Sequence, residues 1–441
     1  MMSTQPARGM RDFLPEDVRR RDYVVGIIRE VYDRYGFEPL ETPAAENIDT
    51  LLGKYGEEGN KLVFKILKRG EHEASGQADL ALRYDLTVPF ARVVAEYQAT
   101  LPRIFKRYQI QPVWRAERPA RGRFREFYQC DIDAIGSTSV LVEVELLAAA
   151  SEVLTRLGFK DFVVKLNDRR LLTALLTTAG VPAAGHTEAL TALDKLDKIG
   201  VEGVMKEFES RGIDAHSTAR CMEFFTGGGK EEGVLDRLQR FLGGAEMVET
   251  MTTIMSMAQS TPAAGHVRID PSLARGLSYY TGAIMEITVP DLPGSLGGGG
   301  RYDNLIGMFL GREVPACGFS LGLERILVAM HERGMFPPEV NQSFVDVVVA
   351  AIDENAQAAA IEAATDLRKA ERLRVDLYPD VVTKMDKIFK YVDQRRAKFI
   401  AILGSNEVTA GTVTVRNVAA KTKETIPRDQ AAAFIKRSLT D

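Results

Sequence analysis

The spacing of apolar residues changes character along the chain, and that succession limits the fold more than any single segment does. Residues 1–165 mix helix and strand signals. Segment 15–35 sets apolar side chains at helical spacing and is followed by Gly36, a helix stop. FEPLETP reads as a short strand closed by Pro43; 80–88, 103–115 and 124–135 read as strands rich in Tyr, Phe, Ile and Val, and a helix follows at 139–157. Between 166 and 262 the strand signal vanishes, and RRLLTALLTTAG, EALTALDKLDKIG, GVLDRLQRFLGG and VETMTTIMSMAQ are helical in period. From 267, VRIDPSL, AIMEITV and GSLGGGGRYD restore strand and glycine, closed by the helical GLERILVAMHERG. A strand pattern that resumes after a long helical stretch predicts one domain in two parts, 1–165 and 263–333, split by a helical insertion at 166–262. A linker at 334–343, with Pro337 and Pro338, precedes residues 344–441. There VDVVVAAI, ENAQAAAIEAATDLRKAE, RVDLY, 385–397 and FIAILG alternate strand with helix, which predicts βαβ units in a largely parallel sheet. TVTVRN and ETIP add a hairpin.

At ~150 residues per domain, 441 residues predict two or three domains. A hydrophobic share of 45% supplies more than one core, and a net charge of −4 excludes a histone-like polyanion binder. Nucleic-acid contact must therefore come from local basic patches. Cys130, Cys221 and Cys317 form no CxxC pair and leave one thiol over in any pairing, which points to a reducing compartment. MMSTQPARGMRDFLPED lacks the apolar core of a signal peptide, and no run reaches 18 apolar residues. The expectation is a soluble cytoplasmic protein with no membrane partner.

GxxxxGK[ST] is absent, and Gly297–Gly300 does not satisfy GxGxxG, so a phosphate site would have to be built from arginine forks. Five arginines, Arg115, Arg118, Arg121, Arg123 and Arg125, stand in WRAERPARGRFREF. Strand-like flanks around PARG predict an antiparallel hairpin with a basic loop, aligning Arg123, Arg125 and Phe127 on one face with Glu126 opposite. Taken alone, such a run is more often a solvated face than a polyanion site. Likewise a lone Tyr279–Tyr280 pair is more often core, Gly297–Gly300 can be a flexible turn, and Asp85 or Asp133 can be a cap. His72, His186, His216, His266 and His331 read as surface or structural, Cys130 and Cys317 as small buried fillers. Thr383–Lys387 (TKMDK) mimics a class I synthetase loop by chance, having no HIGH-like partner.

In combination these segments carry more. Trp114-Arg115-Ala116-Glu117 followed by Arg123 to Phe127 resembles the second signature of class II aminoacyl-tRNA synthetases. GFSLGLER (Gly318–Arg325) resembles the third, and 15–43 ending in Pro43 the first. ARGLSYYTG (Ala274–Gly282), GGGGRYDNLIG (Gly297–Gly307), RGMRDFLP (Arg8–Pro15), LRYDLTVPFAR (Leu82–Arg92) and REFYQCDIDAIG (Arg125–Gly136) are similar to motifs of the histidyl-tRNA synthetase family, over essentially the whole chain.

The resemblance implies an α+β catalytic domain around a six-stranded, mostly antiparallel sheet, a helical insertion and a C-terminal α/β anticodon-binding domain. It implies a homodimer through the first signature, with L-histidine, ATP and tRNA(His) as partners, Mg²⁺ accompanying ATP, and no zinc. Arg115, Arg275 and Arg325 are then the catalytic cations. Arg115 and Arg275 meet the α-phosphate and the histidine carboxylate; Arg325 meets the γ-phosphate or stacks beside the adenine. Phe127 stacks on adenine, Glu117 accepts from its exocyclic amine, and Arg123 joins the ATP site. Asp85, Thr87 and Gln129 fall near the α-amino group, Tyr280 and Asp133 at the imidazole, with Tyr279 and Tyr302 lining the pocket. Arg118 and Arg121 belong to the loop that meets the tRNA acceptor end. Departures from the commoner bacterial pattern are Asp85 and Asp133 where Glu is usual, Ser278 where Asp is usual, and PARG in place of PQKG. The rival reading is a synthetase-like regulatory subunit, though such paralogues typically lose arginines of the kind present here.

Overall fold

The computed structural model describes residues 4–70, 75–193, 195–226, 233–274, 279–341, 345–369, 373–382 and 384–440. The expectations for His72, Arg275 and Ser278 concern positions outside these. Two compact units divide the chain, 1–336 and 337–441.

The first unit has strands β1 (Glu38–Pro39), β2 (Ala45–Asn47), β3 (Lys65–Leu67), β4 (Ala78–Leu82), β5 (Phe105–Trp114), β6 (Glu126–Ile135), β7 (Val163–Asp168), β8 (Val267–Ile269), β9 (Ala283–Thr288), β10 (Ser295–Arg301) and β11 (Ala316–Gly322). Eight form one sheet in the order β1-β5-β6-β11-β10-β9-β7-β8. Its six central strands are antiparallel throughout, as the family resemblance implies, while β1 and β8 add parallel edges. Those edges, two and three residues long, lie within FEPLETP and VRIDPSL, the segments whose composition reads as strand. Strands β2, β4 and β3 make a small separate sheet.

Register explains where a site can lie. Strands β5 and β6 pair Arg107 with Asp133, Gln109 with Asp131 and Gln111 with Gln129. Strand β11 sets Gly318, Ser320 and Gly322 beside the same three β6 residues. Paired residues share a face, so one side of the central strands is polar or bare glycine. The other side carries Tyr108, Cys130, Ile132, Phe319 and Leu321, all buried. Helices Pro15–Arg34, Leu141–Arg156 and Leu323–Glu332 cover it, and Tyr32 donates to the Cys130 carbonyl at 3.1 Å. The first of these helices starts with Pro15, carries Glu16 and Asp17 in its first turn, and is followed by Gly36 at φ +72°.

Gly297–Gly300 is no turn but the middle of β10. A Cβ at Gly299 would stand 2.1 Å from the Gly318 carbonyl oxygen, and one at Gly300 2.5 Å from that of Ala283. Between β7 and β8 the described elements are helices from Arg169 to Ala258, apart from a short 3₁₀ turn at Ala183–Gly185, with Leu172, Leu176, Phe208 and Met222 packed in one cluster with Leu273 and Ile284.

The second unit has strands β12 (Val347–Ala351), β13 (Val375–Leu377), β14 (Phe399–Leu403), β15 (Thr412–Asn417) and β16 (Lys423–Pro427), in the order β13-β12-β14-β15-β16. The first three are parallel and the β15–β16 hairpin closes the sheet antiparallel. Val347, Val349, Phe399 and Ala401 pack with helices Gln357–Lys369 and Ala431–Thr440; Val348, Ala350 and Ile400 pack with Met385–Arg395. Among the described residues no helix is long and apolar enough to cross a membrane.

Candidate active site

The polar face of β6, β10 and β11 opens onto a cavity of about 290 Å³. Asp85, Thr87, Arg115, Glu117, Arg123, Phe127, Gln129, Tyr279, Tyr280 and Arg325 all line it. They arrive from separate places: the β4-to-helix turn, the β5–β6 hairpin, the segment before β9, and the start of helix Leu323–Glu332.

Asp85 is buried and accepts from Tyr55 Oη at 3.0 Å, Tyr279 Oη at 3.2 Å and the Val88 N–H at 3.1 Å. The last contact satisfies a first-turn N–H of helix Thr87–Glu96, whose N-cap position is Leu86. Burial raises the Asp85 pKa, against the pull of these hydrogen bonds and the Arg115 charge. Arg115 donates Nε to the Tyr84 carbonyl at 3.0 Å, with its guanidinium 4.3 Å from the Tyr84 ring and 5.1 Å from the Phe127 ring. That holds the guanidinium between two aromatic faces at the cavity wall. Arg325 donates to the Pro293 carbonyl. Gly294, at φ +86°, makes room for it: a Cβ there would be 2.6 Å from Arg325 Nη2. Gln129 donates to Ser320 Oγ at 2.9 Å.

Several expected placements differ. Strand β6 begins at Glu126, and the turn closes through an Ala120–Arg123 bridge with Gly122 at φ +67°. Arg123 and Arg125 therefore lie in the loop and do not share a strand face with Phe127. Arg123 faces the cavity, 3.2 Å from Glu117, whereas Arg125 Nε turns to the Glu117 carbonyl at 3.0 Å. Asp133 and Tyr302 are not among the lining side chains. They are buried together, Tyr302 donating to Asp133 Oδ1 at 2.5 Å, and Arg107 Nη2 stands 2.7 Å from Asp133 and 4.0 Å from Asp131. Arg118 and Arg121 are exposed on the hairpin loop, and Arg121 Nε donates to Glu332 at 2.9 Å.

Sequence reasoning passed over Tyr55, Arg107, Asp131, Ser320 and Glu324. Asp131 had a signal, standing at period two between Gln129 and Asp133. Glu324 had another, adjoining Arg325 in GLER; it is buried, accepts the Tyr128 N–H at 2.9 Å, and burial lifts its pKa to about 7. Tyr55 and Arg107 gave none, because their partners are distant in sequence. His266 stacks on Phe162 at 3.8 Å and His186 Nε2 lies 3.0 Å from the Val181 carbonyl, both structural roles. Cys130 and Cys317 are buried, which raises their thiol pKa values well above the ordinary range. Among the described residues no group of three or more His, Cys, Asp or Glu is placed to hold a metal ion.

A family model for histidyl-tRNA synthetase matches residues 9–326, and one for an anticodon binding domain matches 346–438. The chain is 39% identical to a histidine–tRNA ligase of Christiangramia forsetii, covering 95% of this chain and 96% of the relative. It is also 39% identical to one of Gloeobacter violaceus, covering 97% of each. Its fold is similar to the crystal structure of histidyl-tRNA synthetase from a Nostoc species, with TM-score 0.79 and 29% identity over 99% of this chain and 100% of that one. With most of its length matched by that family model, and relatives matched nearly end to end, the chain belongs to the histidyl-tRNA synthetase family.

Proposed function

We propose that the protein joins the carboxylate of L-histidine to the α-phosphate of ATP, releasing pyrophosphate, and then passes the histidyl group to the 3′ end of tRNA(His). The convergence of Arg115, Arg325, Phe127 and Glu117 with Asp85, Gln129, Tyr279 and Tyr280 on one cavity carries this reading. Asp85 takes the α-ammonium of histidine, with Thr87 and Gln129 beside it. Tyr280 meets the imidazole from the wall, and Asp133 acts on it from behind the wall. Arg115 spans the histidine carboxylate and the α-phosphate. A carboxylate oxygen attacks phosphorus, the bond to the pyrophosphate oxygen breaks, and Arg115, Arg275 and Arg325 hold the charge on the phosphate oxygens. Phe127 stacks on adenine, and Glu117 accepts from its amine once Arg123 turns to the phosphates. Mg²⁺ enters as part of the MgATP substrate, held by phosphate oxygens. A ribose hydroxyl of the tRNA end then attacks the acyl carbon and AMP leaves. Arg118 and Arg121 meet the acceptor end, the second compact unit meets the anticodon, and the working species is a cytoplasmic homodimer. Binding of tRNA should weaken steeply with salt.

Exchange of pyrophosphate into ATP, measured beside charging of tRNA(His), tests the reading. The expected result is exchange with histidine alone, severely reduced in Arg275→Ala and Arg325→Ala. Exchange driven by a different amino acid would overturn the specificity. Histidine binding without exchange or charging would make the protein a regulatory subunit.

A further inference from the structure

Residues 8–13 form a strap against the β5–β6 hairpin loop and have no task in the chemistry above. The Gly9 carbonyl accepts the Arg125 N–H at 2.8 Å and the Arg8 carbonyl accepts Arg125 Nη1 at 3.4 Å, while Arg125 Nε holds the Glu117 carbonyl. Gly9 has φ +84°, and a Cβ there would stand 2.8 Å from Pro119 Cγ and 2.9 Å from Arg125 Cγ. The strap therefore meets the loop closely enough that only glycine fits. Two residues on, the Arg11 guanidinium lies 4.5 Å from the Phe13 ring and 4.0 Å from the ring of Phe124, itself a cavity-lining residue. Arg11 Nη2 reaches within 3.8 Å of Glu324 Oε1. Arg11 Nε and Nη2 and Glu324 Oε1 are buried with no hydrogen-bond partner among the described residues. The other Glu324 oxygen holds the Tyr128 N–H next to Phe127, and Arg325 follows in the chain.

We propose that Arg11 is a positioning residue for the ATP half of the site: stacked between Phe13 and Phe124, it ties the strap and hairpin loop to Glu324, and so sets Phe127 and Arg325 for the nucleotide. A guanidinium suits this task because its flat face stacks while its edge carries charge toward the carboxylate. Arg11 touches no reacting atom. Asp17 and Arg21 complete the charges around the Arg11–Glu324 contact. The inference rests on the ligase reading for its kinetic signature and on geometry for the rest.

Full-length Arg11→Ala, Arg11→Lys and Gly9→Val test it in pyrophosphate exchange with ATP and histidine varied separately. ATP affinity is measured in parallel by quenching of Trp114, the single tryptophan. Arg11→Ala should weaken ATP about ten- to a hundredfold, as misplacement of a site by about 1 Å does, and leave the histidine KM within about twofold. Arg11→Lys should recover part of the loss, and Gly9→Val should show the same split with every charge intact. Equal losses for both substrates, or a lowered urea midpoint with ATP affinity unchanged, would overturn the proposal and leave Arg11 a structural brace. A wild-type protein that binds ATP but lacks histidine-dependent exchange would sink the ligase reading alone, since the affinity arm still decides the role of Arg11.

Discussion

Asp346 with Arg374 in one compact unit, and Arg107 with Asp131 and Asp133 in the other, put the same side chains to opposite uses. Asp346 receives Arg374 Nε at 3.0 Å, Nη2 at 2.7 Å and its backbone N–H at 2.9 Å. Burial pushes the Asp346 pKa up, but Arg374 outweighs it and the group ends below its ordinary value. Arg107 is fully buried and serves two carboxylates, its Nη2 2.7 Å from Asp133 Oδ2 but 4.0 Å from Asp131 Oδ2, while Asp131 Oδ1 and Arg107 Nε have no hydrogen bond among the described residues. Burial raises both aspartates, and Arg107 offsets this only in part. An acid–base pair that only stabilises a fold closes on itself. A buried cluster with an Asp131 oxygen left short of partners beside a cavity fits the proposed histidine site, whose imidazole brings two polar nitrogens.

The largest effect should come from removing the shared cation. Arg107→Leu strands two buried carboxylates and should cost about 3–5 kcal/mol, read from Trp114 fluorescence in urea, together with histidine-dependent exchange. Arg374→Leu, at a half-exposed position, should cost about 1–2 kcal/mol, read by hydrogen exchange of β12 and β14, and leave exchange intact. Equal losses in the two variants would show that the clusters do not differ in kind. Glycines sharpen the contrast at a smaller scale. A Cβ at Gly318 would stand 1.9 Å from Asp133 Oδ1, so Gly318→Ala should cost about 1–3 kcal/mol and raise the histidine KM. At Gly404 the nearest atom is the Ile352 Cδ1 methyl at 2.8 Å, a flexible end that can move, so Gly404→Ala should cost less than about 1 kcal/mol.

How much of this was legible in sequence follows from contact range. The Pro15–Arg34 helix, the β5–β6 hairpin and the strand–helix alternation after 344 show in local spacing, because their stabilising contacts repeat along the chain. The cavity-lining residues were found through motif resemblance; period alone leaves Asp85 a cap and Tyr279–Tyr280 a core pair. Arg107 was invisible: FKRYQIQP reads as an ordinary strand, and only pairing with β6 puts that cation in the interior. Gly297–Gly300 reads as a turn because the close approach of β9 and β11 that requires bare glycine is long-range. The shared face expected for Arg123, Arg125 and Phe127 failed because Gly122 ends the hairpin in a turn before strand geometry resumes.

The smallest effect is also the most diagnostic of sign. Asp131 and Asp133 have folded pKa values above the ordinary Asp value of ~3.9, so the fold binds more protons than the unfolded chain. Their contribution is therefore fully present below that ordinary value and is lost as pH rises through the raised folded values. The urea midpoint followed at Trp114 should fall as pH climbs from about 4 toward neutrality, and Asp131→Asn should flatten that slope. Asp346 carries the opposite sign. Its folded pKa is depressed, so its contribution is present above the ordinary Asp value and fades only as pH falls through the lower folded value. Protection of β12 and β14 amides, corrected for intrinsic exchange, should then stay level over the interval in which the Trp114 midpoint declines. A parallel decline in both regions would mean that overall charge, and not the unshared carboxylate beside the cavity, governs the response. A Trp114 midpoint that rises with pH would mean that Arg107 outweighs burial at both aspartates, so that the two clusters would not differ in sign.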